Sequence, residues 1–267
     1  MIFISTRPKN RSELLTNHLK AQSIQVIDLP LLELVRCDIN DFDKQKLINL
    51  SHYHQLVFVS EMAVRTFFDL WLNDNTLSLN DFLSKNFIAV GEKTAQAFND
   101  IFQQQFAQFP NIITPSQFNL PENNEGLLQL DVIKNLPKTA KVLIIKGKDG
   151  RTLFKKTLQK QGIWVDTLDV YQRIFPIASR QLFANFFQSV DFCQKKVVLI
   201  TSMTTWQHWQ QLLNDFGECV QNFDYIVLQH RIATALQEQG VGNVCVVNDV
   251  KPMTVQQALL SFGAELD

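Results

Sequence analysis

The sequence predicts an α/β protein built on parallel sheets and made of two similar units. Two observations carry this reading. Short, nearly continuous apolar runs alternate with amphipathic helical segments along the chain, the pattern of strands covered on both faces by helices. The chain also matches itself. Ile2-Phe3-Ile4 with Arg11 and Leu14 matches Val142-Leu143-Ile144 with Arg151 and Phe154. Val57 to Ser60 matches Leu199 to Ser202. Phe87 to Val90 with Ala95 and Ala97 matches Tyr225 to Leu228 with Ala233 and Ala235. The offsets are 140, 142 and 138 residues. Three matched pieces in one order point to an internal repeat, although any two α/β stretches align to some degree once their apolar runs are superposed.

Each element follows from local pattern. Ile2-Phe3-Ile4-Ser5 reads as a strand, and Arg11 to Ala21 as a helix with Leu14, Leu15 and Leu19 on one face. Ile24 to Ile27 is the next strand. Leu56 to Ser60 precedes a helix carrying Ala63, Val64, Phe67, Phe68 and Trp71. Phe87 to Gly91 precedes a helix over Thr94 to Phe106. Val142 to Ile145 precedes one over Arg151 to Gln161, and Val197 to Thr201 one over Thr204 to Asn214. Tyr225 to Leu228 precedes Arg231 to Gln239. Gly162 and Gly240 stand where a helix ends and a left-handed residue is wanted. Pro252-Met253-Thr254 reads as a start before a last helix, Val255 to Phe262. Phe106 to Pro137 holds Pro110, Pro115, Pro121 and Pro137 and reads as loop with one short helix over Gly126 to Ile133.

Composition narrows the function. The chain has 267 residues, 46% hydrophobic and 19% charged, so it can bury a core and is not a disordered chain. Its 25 basic and 26 acidic residues leave a net charge of −1, which argues against a general nucleic-acid binder. A local basic cluster for a small anion remains compatible with that balance. The longest apolar runs are strand-length, so no membrane span is expected. The N-terminus carries no secretion signal, because Arg7-Pro8 interrupts the apolar start. Cys37, Cys193, Cys219 and Cys245 form no Cys-x-x-Cys, so they read as reduced structural cysteines of a cytoplasmic protein, with no metal site.

Two similar α/β units imply two domains with a cleft between them. Ligands of open parallel sheets bind beyond the carboxyl ends of the strands, where helix N-termini present free N–H groups. The polar residues at those ends are Ser5-Thr6-Arg7, Ser60, Gly91 with Lys93-Thr94, Lys146 to Arg151, Thr201-Ser202 and His230-Arg231. Acids there are few (Glu61, Glu92 and Asp149), which suits an anionic ligand. Lys146-Gly147-Lys148-Asp149-Gly150-Arg151 is either an anion cradle or a tight turn needing glycine for its backbone angles. It matches neither the P-loop nor the dinucleotide fingerprint. His52 and His54 read as a solvated pair, and His18 and His208 as surface or packing residues. His230, at a strand end, is a weaker ligand candidate. Neither a nucleophile elbow nor a partnered cysteine supports hydrolysis. The 21 phenylalanines read as core. Tyr171, in the extended segment Trp164 to Arg173, is either an ordinary strand residue or a phenolic proton donor.

These residues resemble the uroporphyrinogen-III synthase family, in its divergent proteobacterial form, along essentially the whole chain. The resemblance rests on Thr6-Arg7-Pro8, Leu29-Pro30-Leu31-Leu32-Glu33, Ser60 with Ala63-Val64, and Ala89-Val90-Gly91-Glu92-Lys93-Thr94-Ala95. It continues in Val142 to Gly147 with Gly150-Arg151, Leu158, Gly162, Tyr171-Gln172-Arg173, Thr201-Ser202 and Arg231-Ile232-Ala233. It implies two flavodoxin-like parallel-sheet domains joined by a two-stranded extended linker. One domain would comprise residues 1–36 and 175–267 and the other residues 37–174, with crossings near Leu34 to Ile39 and Tyr171 to Pro176. It further implies cyclisation of hydroxymethylbilane, a linear tetrapyrrole bearing eight carboxylates, with loss of water and inversion of the last pyrrole ring through a spiro intermediate. No metal or organic cofactor is implied. The implied proton donor is Tyr171. Ser60, Thr94 and Ser202 would be substrate-facing hydroxyls, with backbone at Gly91, Gly147 and Gly150. Arg7, Lys146, Arg151 and Arg231 would be carboxylate contacts. The protein would be a cytoplasmic monomer receiving substrate from the preceding pathway enzyme, without nucleic-acid or membrane partners.

This chain departs from the family pattern in three places. Lys146 stands where arginine is usual, Gln229-His230-Arg231-Ile232 replaces a glycine- and threonine-containing turn, and Glu61 adds a charge beside Ser60. A non-catalytic two-lobed binding protein for a small anion, and a nucleotide-dependent transferase of Rossmann type, are the rival readings.

Overall fold

In the computed structural model the described residues are 1–73, 82–106, 111–189 and 194–263; Pro110 and Cys193 lie outside them. In chain order the elements begin β1 (Ile2–Ser5), α1 (Lys9–Ala21), β2 (Gln25–Asp28), β3 (Glu33–Arg36), α2 (Asp41–Ile48), β4 (Gln55–Phe58), α3 (Glu61–Leu72), β5 (Asn86–Ala89) and α4 (Glu92–Phe106). Then come β6 (Ile112–Ile113), α5 (Asn124–Gln129), α6 (Asp131–Lys134), β7 (Lys141–Gly147), α7 (Leu153–Lys160), β8 (Trp164–Ile174) and α8 (Ala178–Ser189). The chain closes with β9 (Lys196–Ile200), α9 (Met203–Phe216), β10 (Asp224–Val227), α10 (His230–Glu238), β11 (Val244–Val246) and α11 (Pro252–Ser261).

The chain divides into two compact units, Met1–Glu33 with Ile174–Asp267, and Leu34–Arg173. The chain passes from one unit to the other within β3 and within β8. The first unit holds a five-stranded sheet in the order β11-β10-β9-β1-β2, with every neighbouring pair parallel. Counted along the chain within that unit, the order is the flavodoxin-like one. The second unit is built on a six-stranded sheet in the order β3-β8-β7-β4-β5-β6, parallel from β8 to β6.

The repeat takes physical form in these orders. Laid on the first sheet, β7 takes the place of β1, β4 that of β9 and β5 that of β10. Those are the three pairs that the sequence offsets match. The two units therefore share one spatial order, but the chain enters that order at different strands.

Helix ends follow from side chains. Asn40, Ser60, Asn123 and Ser202 each accept the amide three residues on as N-caps, satisfying a donor the helix leaves orphaned. Gly162 and Gly240 take positive φ of 84° and 80° after α7 and α10. Gly217 does the same after α9, at 70°.

The second sheet separates two cores by strand alternation. Leu56, Phe58, Phe87, Ala89, Leu143 and Ile145 face one side, with α3 and α4. Val57, Ile88, Val142 and Ile144 face the other, with α5 and α7. The first side is an aromatic cluster centred on Phe98, whose ring centroid lies 4.9 Å from Phe87, 5.2 Å from Phe58 and 5.2 Å from Phe68. The first unit buries Trp209 and Tyr225 in the same manner, with the indole N–H donating to the phenol oxygen at 3.0 Å. That bond satisfies a polar group that burial would otherwise penalise.

Several expectations need correction. Gly126 to Ile133 is two helices, α5 and α6, because Leu130 takes an extended ψ of 133° between them. The last helix starts at Pro252, which stands at its first turn with Lys251 as cap. α2, β6 and β11 have no counterpart in the reading from sequence, whereas β3 falls at the first expected crossing, near Leu34 to Ile39. β6 is two residues long, and α2 has little apolar face to signal it.

Phe98 is fully buried among other rings. Truncating it leaves a cavity, so Phe98→Ala should lower unfolding free energy by about 3–5 kcal/mol. Urea denaturation reads this directly; a change below about 1 kcal/mol would mean the aromatic cluster is not the packed core described here.

Candidate active site at the sheet tips of the second unit

In the second unit the chain leaves β4 towards β5 on one side and β7 towards β8 on the other. The gap between the carboxyl ends of β4 and β7 is the topological switch point, where open α/β sheets bind ligands. A pocket of about 530 Å3 opens there. Its walls include Val59, Ser60, Val90, Lys146, Gly147 and Tyr171, with Glu122, Asn124, Arg151, Lys155 and Arg173 also facing it.

Tyr171 reaches this pocket through a β-bulge. β8 stays in register with β7 up to Lys146↔Asp169, and then Gly147 pairs with Tyr171. Val170 is the extra residue. Strict alternation would send Val170 and Tyr171 to opposite faces, but the bulge brings both into the same core as Leu168. The ring then crosses the tip of β7. A Cβ at position 147 would lie 2.5 Å from the ring carbons Cε2 and Cζ. Glycine is needed at 147 for this close approach, and not for unusual backbone angles; in the same turn it is Asp149 that takes positive φ, at 62°.

The phenol oxygen ends 3.0 Å from Ser60 Oγ on the far side of β7. Ser60 also caps α3, accepting the Ala63 amide at 3.2 Å. Its hydroxyl proton is thereby free to go to the phenol oxygen, leaving the phenol proton for the pocket. The Arg173 guanidinium lies 5.8 Å from the Tyr171 ring centroid, within cation–π reach.

Lys146 is less available than its place in the turn suggests. Its ammonium pairs with Asp169 Oδ1 at 3.0 Å and donates to the Gly147 carbonyl at 3.0 Å. Arg151 and Lys155 line the pocket with no ion pair among the described residues, while Gly150 forms its floor beside Gly147. Gly91 and Thr94 do not line the pocket, and Thr94 is buried. Val90 and Glu122 stand there instead. The Glu122 carboxylate accepts the first amide of α4, from Glu92, at 2.8 Å, and Gly91 leaves room for it, since a Cβ at 91 would lie 2.5 Å from Glu122 Oε2. Glu122 and Asn124 escaped the sequence reading because they lie in the proline-rich stretch taken as loop. Two of the three acids expected at the strand ends are otherwise engaged: Glu61 pairs with Arg65 at 3.0 Å, and Glu92 accepts the Ser116 hydroxyl at 2.5 Å.

Arg7, Ser202 and Arg231 belong to the first unit. Arg7 follows β1 at that sheet's own switch point, beside β9. Burial, and then the nearby Arg11, pull its pKa below the usual arginine value, a direction that an anionic neighbour would reverse. Ser202 caps α9, accepting the Thr205 amide at 3.1 Å. Arg231 is exposed and donates to Gln229 Oε1 at 2.8 Å; His230, also exposed, opens α10. His54 Nδ1 accepts the Lys141 amide at 3.1 Å, and His208 Nδ1 lies 2.6 Å from the Leu31 carbonyl oxygen. Among the described residues no group of three or more His, Cys, Asp or Glu side chains is placed to hold a metal ion. None of the described helices is long and apolar enough to cross a membrane. A smaller hollow of about 250 Å3, between Phe42, Tyr53 and Trp164, sits at the opposite end of the second sheet.

If the Gly147 contact holds Tyr171 in place, Gly147→Ala should displace the ring and cost about 1–3 kcal/mol, with activity falling together with melting temperature. An alanine variant of unchanged stability and activity would contradict the close approach.

Comparison with known proteins bears on the family and the fold. The family model described as uroporphyrinogen-III synthase HemD matches residues 13–253. A uroporphyrinogen-III synthase of Proteus mirabilis is 28% identical over 176 residues, 66% of this chain and 81% of that protein. A putative uroporphyrinogen-III synthase of Methanocaldococcus jannaschii is 24% identical over 227 residues, 85% of this chain and 84% of that protein. Among solved structures, a mutant uroporphyrinogen III synthase of Thermus thermophilus covers 98% of this chain and 99% of its own, with a TM-score of 0.58 at 14% identity. The uroporphyrinogen-III synthetase of Helicobacter pylori covers 97% and 98%, with a TM-score of 0.58 at 15% identity. At those identities the two structures speak for the shared fold, and the family match speaks for descent: the chain belongs to the uroporphyrinogen-III synthase family, cyclising lyases of tetrapyrrole synthesis.

Proposed function

We propose that this chain converts hydroxymethylbilane to uroporphyrinogen III, with the second-unit pocket holding the reacting end of the substrate. The observation that carries the reading is the Tyr171–Ser60 pair at the switch point, 3.0 Å apart, in a pocket that Arg151, Lys155 and Arg173 also line.

The chemistry starts with departure of the terminal hydroxyl. Tyr171 gives its phenolic proton to that oxygen, which leaves as water and yields an azafulvene. Ser60 donates to the phenol oxygen as charge develops, and Arg173 opposes that charge through the ring face. The last pyrrole then attacks through its substituted carbon. The resulting spiro intermediate fragments and recloses with the ring inverted, and the final proton returns to solvent or to the phenolate. The pyrroles supply the electrons, so the protein's task is to hold the chain where inversion outruns direct closure. The substrate's acids match Arg151 and Lys155, which line the pocket and make no ion pair among the described residues. Arg7, Ser202 and Arg231 are further substrate contacts on this reading. So are Gly91 and Thr94, through movement at the start of α4. The working form is a cytoplasmic monomer that receives substrate from the preceding pathway enzyme and needs no cofactor.

The test is product analysis with hydroxymethylbilane generated in situ. The type-III isomer should dominate with the protein present; type I alone, as without protein, would remove the proposal. Tyr171→Phe keeps the ring over Gly147 and should fold normally while kcat falls by about 100-fold, within the range of general-acid catalysis. Unchanged turnover would retire Tyr171 as proton donor.

A further inference from the structure

The pocket that faces a many-acid substrate contains a carboxylate of its own. Its lining carries four cations, Lys146, Arg151, Lys155 and Arg173, and Glu122 as its single acid. Lys146 is already matched by Asp169. Glu122 sits where an incoming acid would be drawn. Its Oε1 accepts the Glu92 amide at 2.8 Å, at the N-terminus of the 15-residue helix α4, which favours a negative group. The absent side chain of Gly91 makes the slot for it. The residue is nonetheless exposed, so the carboxylate can leave without unpacking a core. In the lining of the same pocket the Asn124 side-chain Nδ2 is buried with no hydrogen-bond partner among the described residues. An unsatisfied buried donor costs free energy until an acceptor arrives.

We propose that Glu122 is a resident carboxylate that competes with the acids of the ligand for this pocket, and so keeps the binding of substrate and product weak. The proposal rests on the synthase reading for its ligand. Substrate and product carry the same acids, so a pocket that bound them without competition would hold both tightly. Uniform tight binding adds nothing to the rate and slows release. As a ligand carboxylate enters, Glu122 swings to solvent, the Glu92 amide passes to the ligand, and Asn124 Nδ2 gains its acceptor.

Glu122→Gln keeps an oxygen for the Glu92 amide and removes the charge. Its effect is read by binding and by turnover. For uroporphyrin III, the oxidised product, Kd measured by fluorescence at low ionic strength should fall about three- to tenfold relative to wild type, as expected for losing one nearby like charge in a solvated pocket. The gap should narrow at high salt. KM for hydroxymethylbilane should fall by a similar factor while kcat does not rise. Glu122→Ala gives the same reading should the Gln variant fail to fold. An unchanged or raised Kd overturns the proposal, because a purely structural cap would move melting temperature and leave affinity alone. The binding arm needs no turnover, so an inactive wild-type protein would count against the synthase reading while the Kd comparison still decides the role of Glu122.

Discussion

The contact on which the active site depends is the passage of the Tyr171 ring over Gly147. Tyr171 and Ser60 stand on strands that are not neighbours, since β7 lies between β8 and β4. A hydrogen bond of 3.0 Å between them requires the ring to span β7 at its tip. That is possible because β7 ends in a residue without a side chain, and because the bulge at Val170 turns Tyr171 onto the right face. Remove either feature and the phenol has no route to Ser60. One missing Cβ and one extra residue thus bring a phenol and a hydroxyl from strands that are not neighbours into hydrogen-bond contact.

The charge arrangement follows a similar economy. Cations line the pocket, yet the one nearest the turn, Lys146, is matched by Asp169, and the start of α4 is matched by Glu122. Among the described residues Arg151, Lys155 and Arg173, which also line the pocket, make no ion pair. A net charge of −1 for the whole chain conceals this local excess, as a balanced protein can hold a basic pocket. In the first unit, considered by itself, Arg7 is half-buried near Arg11. Such a guanidinium is held at a cost and gains most from an acid brought to it.

Much of the architecture was legible because it rests on short-range signals. Apolar runs of strand length and glycines after helices each have one dominant physical meaning. The repeat was legible as three offsets, and the strand orders give those offsets a spatial meaning. The linker crossings and the roles of Tyr171 and Ser60 came from family resemblance, since a lone tyrosine in a strand reads equally well as packing. Two things were hidden. The need for glycine at 147 depends on a ring arriving from another strand, a contact no local window contains. Glu122 lies 31 positions beyond Gly91, in a segment whose prolines say loop, and only the fold brings it to α4. Elements such as β6 and α2 were missed because two residues, or a helix with little apolar face, leave no periodicity to read.

The central claim is that the tips of β4, β7 and β8 in the second unit receive the tetrapyrrole. Amide hydrogen exchange with and without bound uroporphyrin III tests it most directly. The account predicts added protection over Ser60 to Ala63 and Gly147 to Arg151, the turns that carry Ser60, Gly147, Gly150 and Arg151 to the pocket. Protection confined to the Phe42, Tyr53 and Trp164 hollow at the other end of the sheet, or none at either end, would contradict it.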